Sequence, residues 1–132
     1  MKLRNGFVSN SSSSSFIVRL DKPVEDYTYE EFMDICGVTK SYMNELCKDE
    51  WGDIMPFTYG DCVITLWNDL KDEYAKEELS EWFKEMSGID KLGPTEYNVS
   101  YGSEDSDWKK GNYMEWEFMP HLKITKDTIN MH

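Results

Sequence analysis

Little in this chain offers a reacting group. It holds two histidines and three cysteines. His132 closes the sequence. His121 follows Met119-Pro120 without the serine, cysteine or aspartate partner that a nucleophile–base pair needs. Cys36, Cys47 and Cys62 are odd in number and contain no Cys-x-x-Cys pair, which argues against a disulfide framework and for a reducing cytosol. Their spacing with His121 is too wide and irregular for a zinc site, so neither metal nor cofactor is expected. No Gly-x-x-x-x-Gly-Lys-Ser/Thr segment is present, which excludes a phosphate-binding loop of the nucleotide-hydrolase type. Glu104-Asp105-Ser106-Asp107 lacks the oxygen spacing and central glycine of a calcium loop and reads as a solvated tip. No apolar run approaches the length of about 18 residues that a transmembrane helix needs. Met1–Leu20 is basic early but has no long apolar segment of the kind a secretory signal requires. No internal repeat is visible.

What the chain has is a core-forming composition on an acidic background. Of its 132 residues, 39% are hydrophobic and 14% aromatic, enough to build one folded domain and too much for a disordered acidic tail. The net charge of −12 opposes general nucleic-acid binding, which needs a basic surface. It favours solubility and association with basic protein surfaces.

The first twenty residues differ from the rest. They hold Lys2, Arg4 and Arg19 and no acid, a charge of +3, so residues 21–132 carry −15 and the whole chain −12. Two apolar runs, Phe7-Val8 and Phe16-Ile17-Val18, flank the hydroxyl-only stretch Ser11–Ser15. The runs are expected to enter a sheet and the serines to lie exposed in a loop, because burying hydroxyls without partners costs about 1–3 kcal/mol each. Residues 1–20 therefore read as a basic serine-rich leader and residues 21–132 as a single acidic domain.

Arg4-Asn5-Gly6-Phe7-Val8-Ser9-Asn10, the serine run and Phe16-Ile17-Val18 together resemble the opening of a scattered set of small phage and bacterial proteins. The resemblance implies a phage or bacterial origin. No shared activity goes with it, since the sequences behind that opening differ widely.

Further elements follow from caps and periodicity. Thr28-Tyr29-Glu30-Glu31 is a capping box. Tyr29, Phe32, Met33 and Cys36 then recur at helical spacing, with Gly37 as a left-handed stop. Thr39 is placed to cap a second helix with Tyr42, Met43, Leu46 and Cys47 on its apolar face. Residues 52–60 read as a loop and residues 61–67 as an apolar, β-branched strand. A long helix is expected over residues 69–87, with Leu70, Tyr74, Leu79, Trp82, Phe83 and Met86 inward and Gly88 as its stop. Thr95–Tyr101 and Asn112–Phe118 alternate as two strands joined by a polar loop, and Leu122–Thr125 reads as a last short strand. The sum is an α+β fold: an antiparallel sheet packed against helices, with a helical hairpin at about 28–50.

Thr28-x-Glu30-Glu31-Phe32, Gly37-Val38-Thr39 and Ser41-Tyr42-Met43-Asn44-x-Leu46 resemble the helix-turn-helix of phage repressors. That resemblance implies a recognition helix presenting Lys40, Ser41, Asn44 and Lys48 to DNA. The chain departs from the pattern at Met33, where a small residue usually stands. It also places Glu45, Asp49 and Glu50 on the DNA-facing side. An ordinary capped helical hairpin explains the same residues.

The remaining candidates are polar. Arg4, Arg19 and Ser11, Ser12, Ser13, Ser14 and Ser15 have the chemistry to hold a phosphate or to meet a partner. Trp108, an aromatic in a polar loop, reads as a contact residue. Glu115 and Glu117 share a predicted strand face as solvated charge. The reading this supports is a small acidic cytosolic protein of phage or bacterial origin that binds another protein with a basic surface, including an inhibitor of a host factor. Alternatives are a DNA-binding regulator using residues 39–48 and a binder of a small phosphorylated ligand through the leader. No membrane is involved in any of them.

Overall fold

Phe16-Ile17-Val18 is apolar at three successive positions, and a strand buries all three only when both its faces are covered. The computed structural model, which describes residues 13–130, has this arrangement. Strand β1 (Ser13–Arg19) lies between β4 (Glu96–Gly102) and β5 (Thr125–Asn130) in an antiparallel sheet of order β4-β1-β5. Phe16 stands opposite Val99, and Val18 opposite Tyr97. With Tyr101 these side chains form one face of the main core, against which Phe32, Leu66 and Leu70 pack. Ile17 points the other way and joins a second cluster with Leu79, Phe83 and Ile129. Phe16, Ile17 and Val18 are fully buried, each contributing about 1.5–3 kcal/mol of apolar transfer. The described part of the leader is thus the centre of the sheet.

The chain is α+β, and several local expectations hold. Helix α1 (Tyr29–Ile35) opens on the capping box, with Thr28 Oγ1 accepting from Glu31 N–H and Glu31 accepting from Thr28 N–H. Gly37 has a φ of 75°, a left-handed conformation open to glycine. β4 lies within a residue of its predicted span.

Five elements differ from the sequence reading. Residues 61–67 are helical, inside α2 (Tyr59–Leu70). Thr58 and Asp61 form a second capping box, and Cys62, Val63, Leu66, Trp67 and Leu70 are buried at helical spacing. The β-branched content of the run misled because a short apolar stretch reads equally as helix or strand. Residues 69–87 are not one helix. After α2, a 3-10 turn (Glu73–Lys76) capped by Asp72 precedes α3 (Glu81–Ser87), capped by Ser80. The break lets Leu70 enter the main core while Leu79 and Phe83 cover Ile17 on the opposite face.

Residues 112–118 are not a strand. Helix α4 (Trp108–Tyr113), capped by Asp107, runs into a π turn (Met114–Phe118) and a 3-10 turn (Met119–His121). Gly111, Met114, Glu115, Phe118 and Met119 are buried, a spacing of three and four that competes with the alternation. The last strand is β5, residues 125–130, rather than 122–125.

The helical hairpin at 28–50 is likewise half formed. Residues 40–42 are a 3-10 turn, and β2 (Leu46–Lys48) pairs antiparallel with β3 (Ile54–Thr58), where a helix end and a loop were expected. Asp49 Oδ1 accepts from the N–H groups of Trp51 and Asp53, and Gly52 has a φ of 85°, so the turn chemistry outcompetes a second helix.

Candidate functional site

The structure separates the residues that the sequence grouped as a phosphate or partner site. Arg4, Ser11 and Ser12 lie outside the described residues. Ser13, Ser14 and Ser15 are buried on β1, which corrects the expectation of an exposed loop. Their burial is tolerated because partners come with it. Ser15 Oγ lies 2.9 Å from Ser100 Oγ across the sheet. Ser14 Oγ lies 2.6 Å from Glu115 Oε2 and 2.7 Å from Asn130 Oδ1. A hydroxyl has one proton, so Ser14 donates to one of these groups and accepts from the other. Both contacts are satisfied when Ser14 donates to Glu115 and the Asn130 amide turns its nitrogen to Ser14.

Glu115 is therefore no solvated strand charge. The π turn holds it buried against the serine strand. Arg19 stands at the other end of β1, about 20 Å from Ser13 by strand rise. It is exposed and pairs with Glu96. The described serines and Arg19 do not converge.

The four residues of the DNA reading do not share a helix face. Lys40 and Ser41 are in the 3-10 turn, Asn44 follows it, and Lys48 ends β2 opposite Ile54. Lys40 Nζ lies 3.7 Å from Glu30, and Ser41 Oγ lies 2.8 Å from Thr39 Oγ1. No recognition helix is present over residues 39–48 because the chain turns into a hairpin. Trp108, read from the sequence as lying in a polar loop, is the first residue of α4 and 55% exposed, with Lys109 Nζ 5.7 Å from its ring centroid.

The hairpin that replaces the second helix has its own character. Cys47 and Phe57 point inward and are buried, which anchors both strands to the main core. Leu46 and Ile54 point outward at 48% and 62% exposure, and Trp51 in the turn is 80% exposed. Tyr42 stands beside them, half exposed, its ring edge-on to Tyr59 at 6.2 Å. Glu45, Asp49, Glu50 and Asp53 lie along the same segment, against a single Lys48. An apolar patch framed by acids is the result. The sequence held a signal for it, the Asp49-to-Gly52 turn between Leu46 and Ile54, which the repressor resemblance masked.

Behind the hairpin, Cys47 Sγ lies 3.9 Å from Cys62 Sγ. The Cys62 thiol hydrogen bond lowers the Cys47 pKa, and the same bond with burial raises that of Cys62. Burial alone pushes Cys36 up to about 12. All three are free thiols. Among the described residues no group of three or more histidine, cysteine or acidic side chains is placed to hold a metal ion. Nor is any helix among them long and apolar enough to cross a membrane.

Compared with protein-family models, with curated proteins and with solved structures, the chain matches none.

Proposed function

We propose that this is a small acidic protein of a phage or bacterial cytoplasm that acts by binding a protein with a basic surface, an inhibitor of a host factor being one such role. The observation that carries the reading is the β2–β3 hairpin. Trp51, Ile54 and Leu46 offer a contact centre of the kind that supplies most binding energy at interfaces. The acids around them would steer a basic partner toward it. Trp108, exposed beside Lys109, is a second contact residue in this reading.

Photo-crosslinking from position 51 in a bacterial cytoplasm, with position 82 as control, tests the proposal. The expected result is one basic protein captured from position 51 alone. The purified pair should bind in a salt-sensitive way and lose that binding with Leu46→Ser, Trp51→Ala and Ile54→Ser combined. Equal capture from both positions, or a purified pair indifferent to the triple substitution, overturns the reading.

A further inference from the structure

We propose that the cleft at the open end of the β1–β5 ladder binds a small phosphate monoester with hydroxyls and a flat or apolar body, the chemistry of a nucleoside monophosphate. The site is independent of the hairpin and goes beyond the protein-binding role.

The cleft arises from a break in the ladder. Ile17 stands opposite Asp127 but Val18 opposite Thr125, so Lys126 is an extra residue in β5. Such bulges bend a strand and re-aim a side chain. The ladder then opens, with Arg19 N–H donating to Ile124 O at 2.9 Å. The space left is about 360 Å³, the size of a small-molecule site rather than of a macromolecular groove.

Three cations meet there: Arg19, Lys123 and Lys126. Glu96 Oε2 holds two of them, Arg19 Nε at 3.3 Å and Lys126 Nζ at 2.8 Å. It fixes the pair in place, and with Asp21 it leaves one positive charge uncompensated. Lys123 makes no ion pair among the described residues and is the cation available to a ligand. The Lys123 ammonium, beside the guanidinium nitrogens of Arg19 that its Nε contact with Glu96 does not use, suits a phosphate.

The rest of the lining selects what the phosphate must carry. Buried Leu20 and half-buried Ile35 and Ile124 make an apolar floor. Tyr27 adds an aromatic ring, held by Lys22 Nζ 4.7 Å from its centroid and by its hydroxyl, which accepts from Asp21 N–H at 3.2 Å. A ligand body resting on this floor gains apolar burial. Asp21 also lines the cleft, and its carboxylate opposes a bare anion but accepts from a hydroxyl. The chain's net charge of −12 also opposes an anion that offers nothing else, so free phosphate should bind worse than a phosphate with a body.

The test is a methyl- and amide-resolved NMR titration of the full chain with adenosine 5′-monophosphate, and in parallel with inorganic phosphate and with adenosine. Saturable shifts are expected at Leu20, Ile35 and Ile124 with the monophosphate in the millimolar range or below, and at least tenfold weaker binding of either fragment. Lys123 is exposed, so Lys123→Glu should leave the melting temperature unchanged, weaken the monophosphate tenfold or more, and be rescued by Lys123→Arg. No saturable shift, equal binding of adenosine or of phosphate alone, or indifference to Lys123→Glu would each overturn the proposal.

Discussion

Ser14 Oγ stands 2.6 Å from Glu115 Oε2, both groups buried and 101 positions apart. This contact joins the central strand of the sheet to the π turn that follows α4. It explains why a run of hydroxyls can sit where apolar side chains would be expected. A buried carboxylate needs donors, and a buried serine needs an acceptor.

Ser14→Ala should lower stability by about 1–3 kcal/mol, because the carboxylate then loses a donor in a site closed to water. The midpoint of urea unfolding measures it. An unchanged midpoint would show that the hydroxyl does not carry this bond.

Phe16→Ala should cost roughly 3–5 kcal/mol, as large aromatic truncations in a closed core do. Phe16 is fully buried and its ring lies 6.4 Å from that of Tyr101. Thermal unfolding followed by near-ultraviolet circular dichroism would report the loss. A silent substitution would remove β1 from the core.

Gly111→Ala should destabilise by about 1–3 kcal/mol. A β-carbon at this position would run into the Gly102 carbonyl oxygen and come within 2.8 Å of Asp105 Oδ2. Backbone cannot step aside as a flexible side-chain end can. Gly37→Ala would meet no such atom and would be strained only by its φ of 75°. Denaturation midpoints of the two variants test steric contact against backbone strain.

Stability should fall as the pH drops from about 4.5 toward about 2, through the carboxyl of Glu96. The Lys126 ammonium, then the Gly93 N–H, hold its folded pKa at about 2, below the ordinary 4.5. A depressed carboxyl stabilises the fold above its unfolded pKa, and the contribution is lost as the folded form takes up its proton. Glu96→Gln should flatten this part of the stability–pH curve. A curve of the same slope in the variant would assign the effect to other groups.

Native protein should react slowly with iodoacetamide at all three cysteines, since Cys36, Cys47 and Cys62 are buried. On partial unfolding the cysteines should label in the order in which their surroundings open, because the native shifts, Cys47 lowered by its Cys62 contact and Cys36 raised by burial, vanish with those surroundings. Peptide mass spectrometry gives the order. Full unfolding should release three titratable thiols, and fewer would contradict a reduced protein.

Local rules were legible wherever a cap and a turn of helix belong to adjacent residues. The Thr28–Glu31 box and the Gly37 and Gly88 stops could be read directly, as their geometry is set within a few positions. So could Phe16-Ile17-Val18 and Thr95–Tyr101, since three consecutive apolar residues and a strict alternation each have one comfortable home in a sheet. The Thr58–Asp61 box was equally local. It went unread because the β-branched residues after it pointed to a strand, and only packing of Leu66 and Leu70 under the sheet settles that contest.

Composition by itself determined that this chain is acidic and rich enough in apolar residues to fold, because burial and solvation scale with residue content whatever the topology, and the order of local helix and strand patterns determined the α+β class. Tertiary structure alone decided where the polar residues went. Ser13–Ser15 are inside because Glu115, Asn130 and Ser100 arrive from distant strands and turns to meet the hydroxyls of Ser14 and Ser15. Residues 69–87 break because Ile17 needs a cover on the face that Leu70 does not reach. Trp51 becomes a contact candidate because a hairpin turns it outward, and Lys126 is brought to the cleft that Arg19 and Lys123 line by a bulge, both products of pairing between strands. Pairings across a hundred residues are set by which surfaces close together, and no window of sequence contains that information.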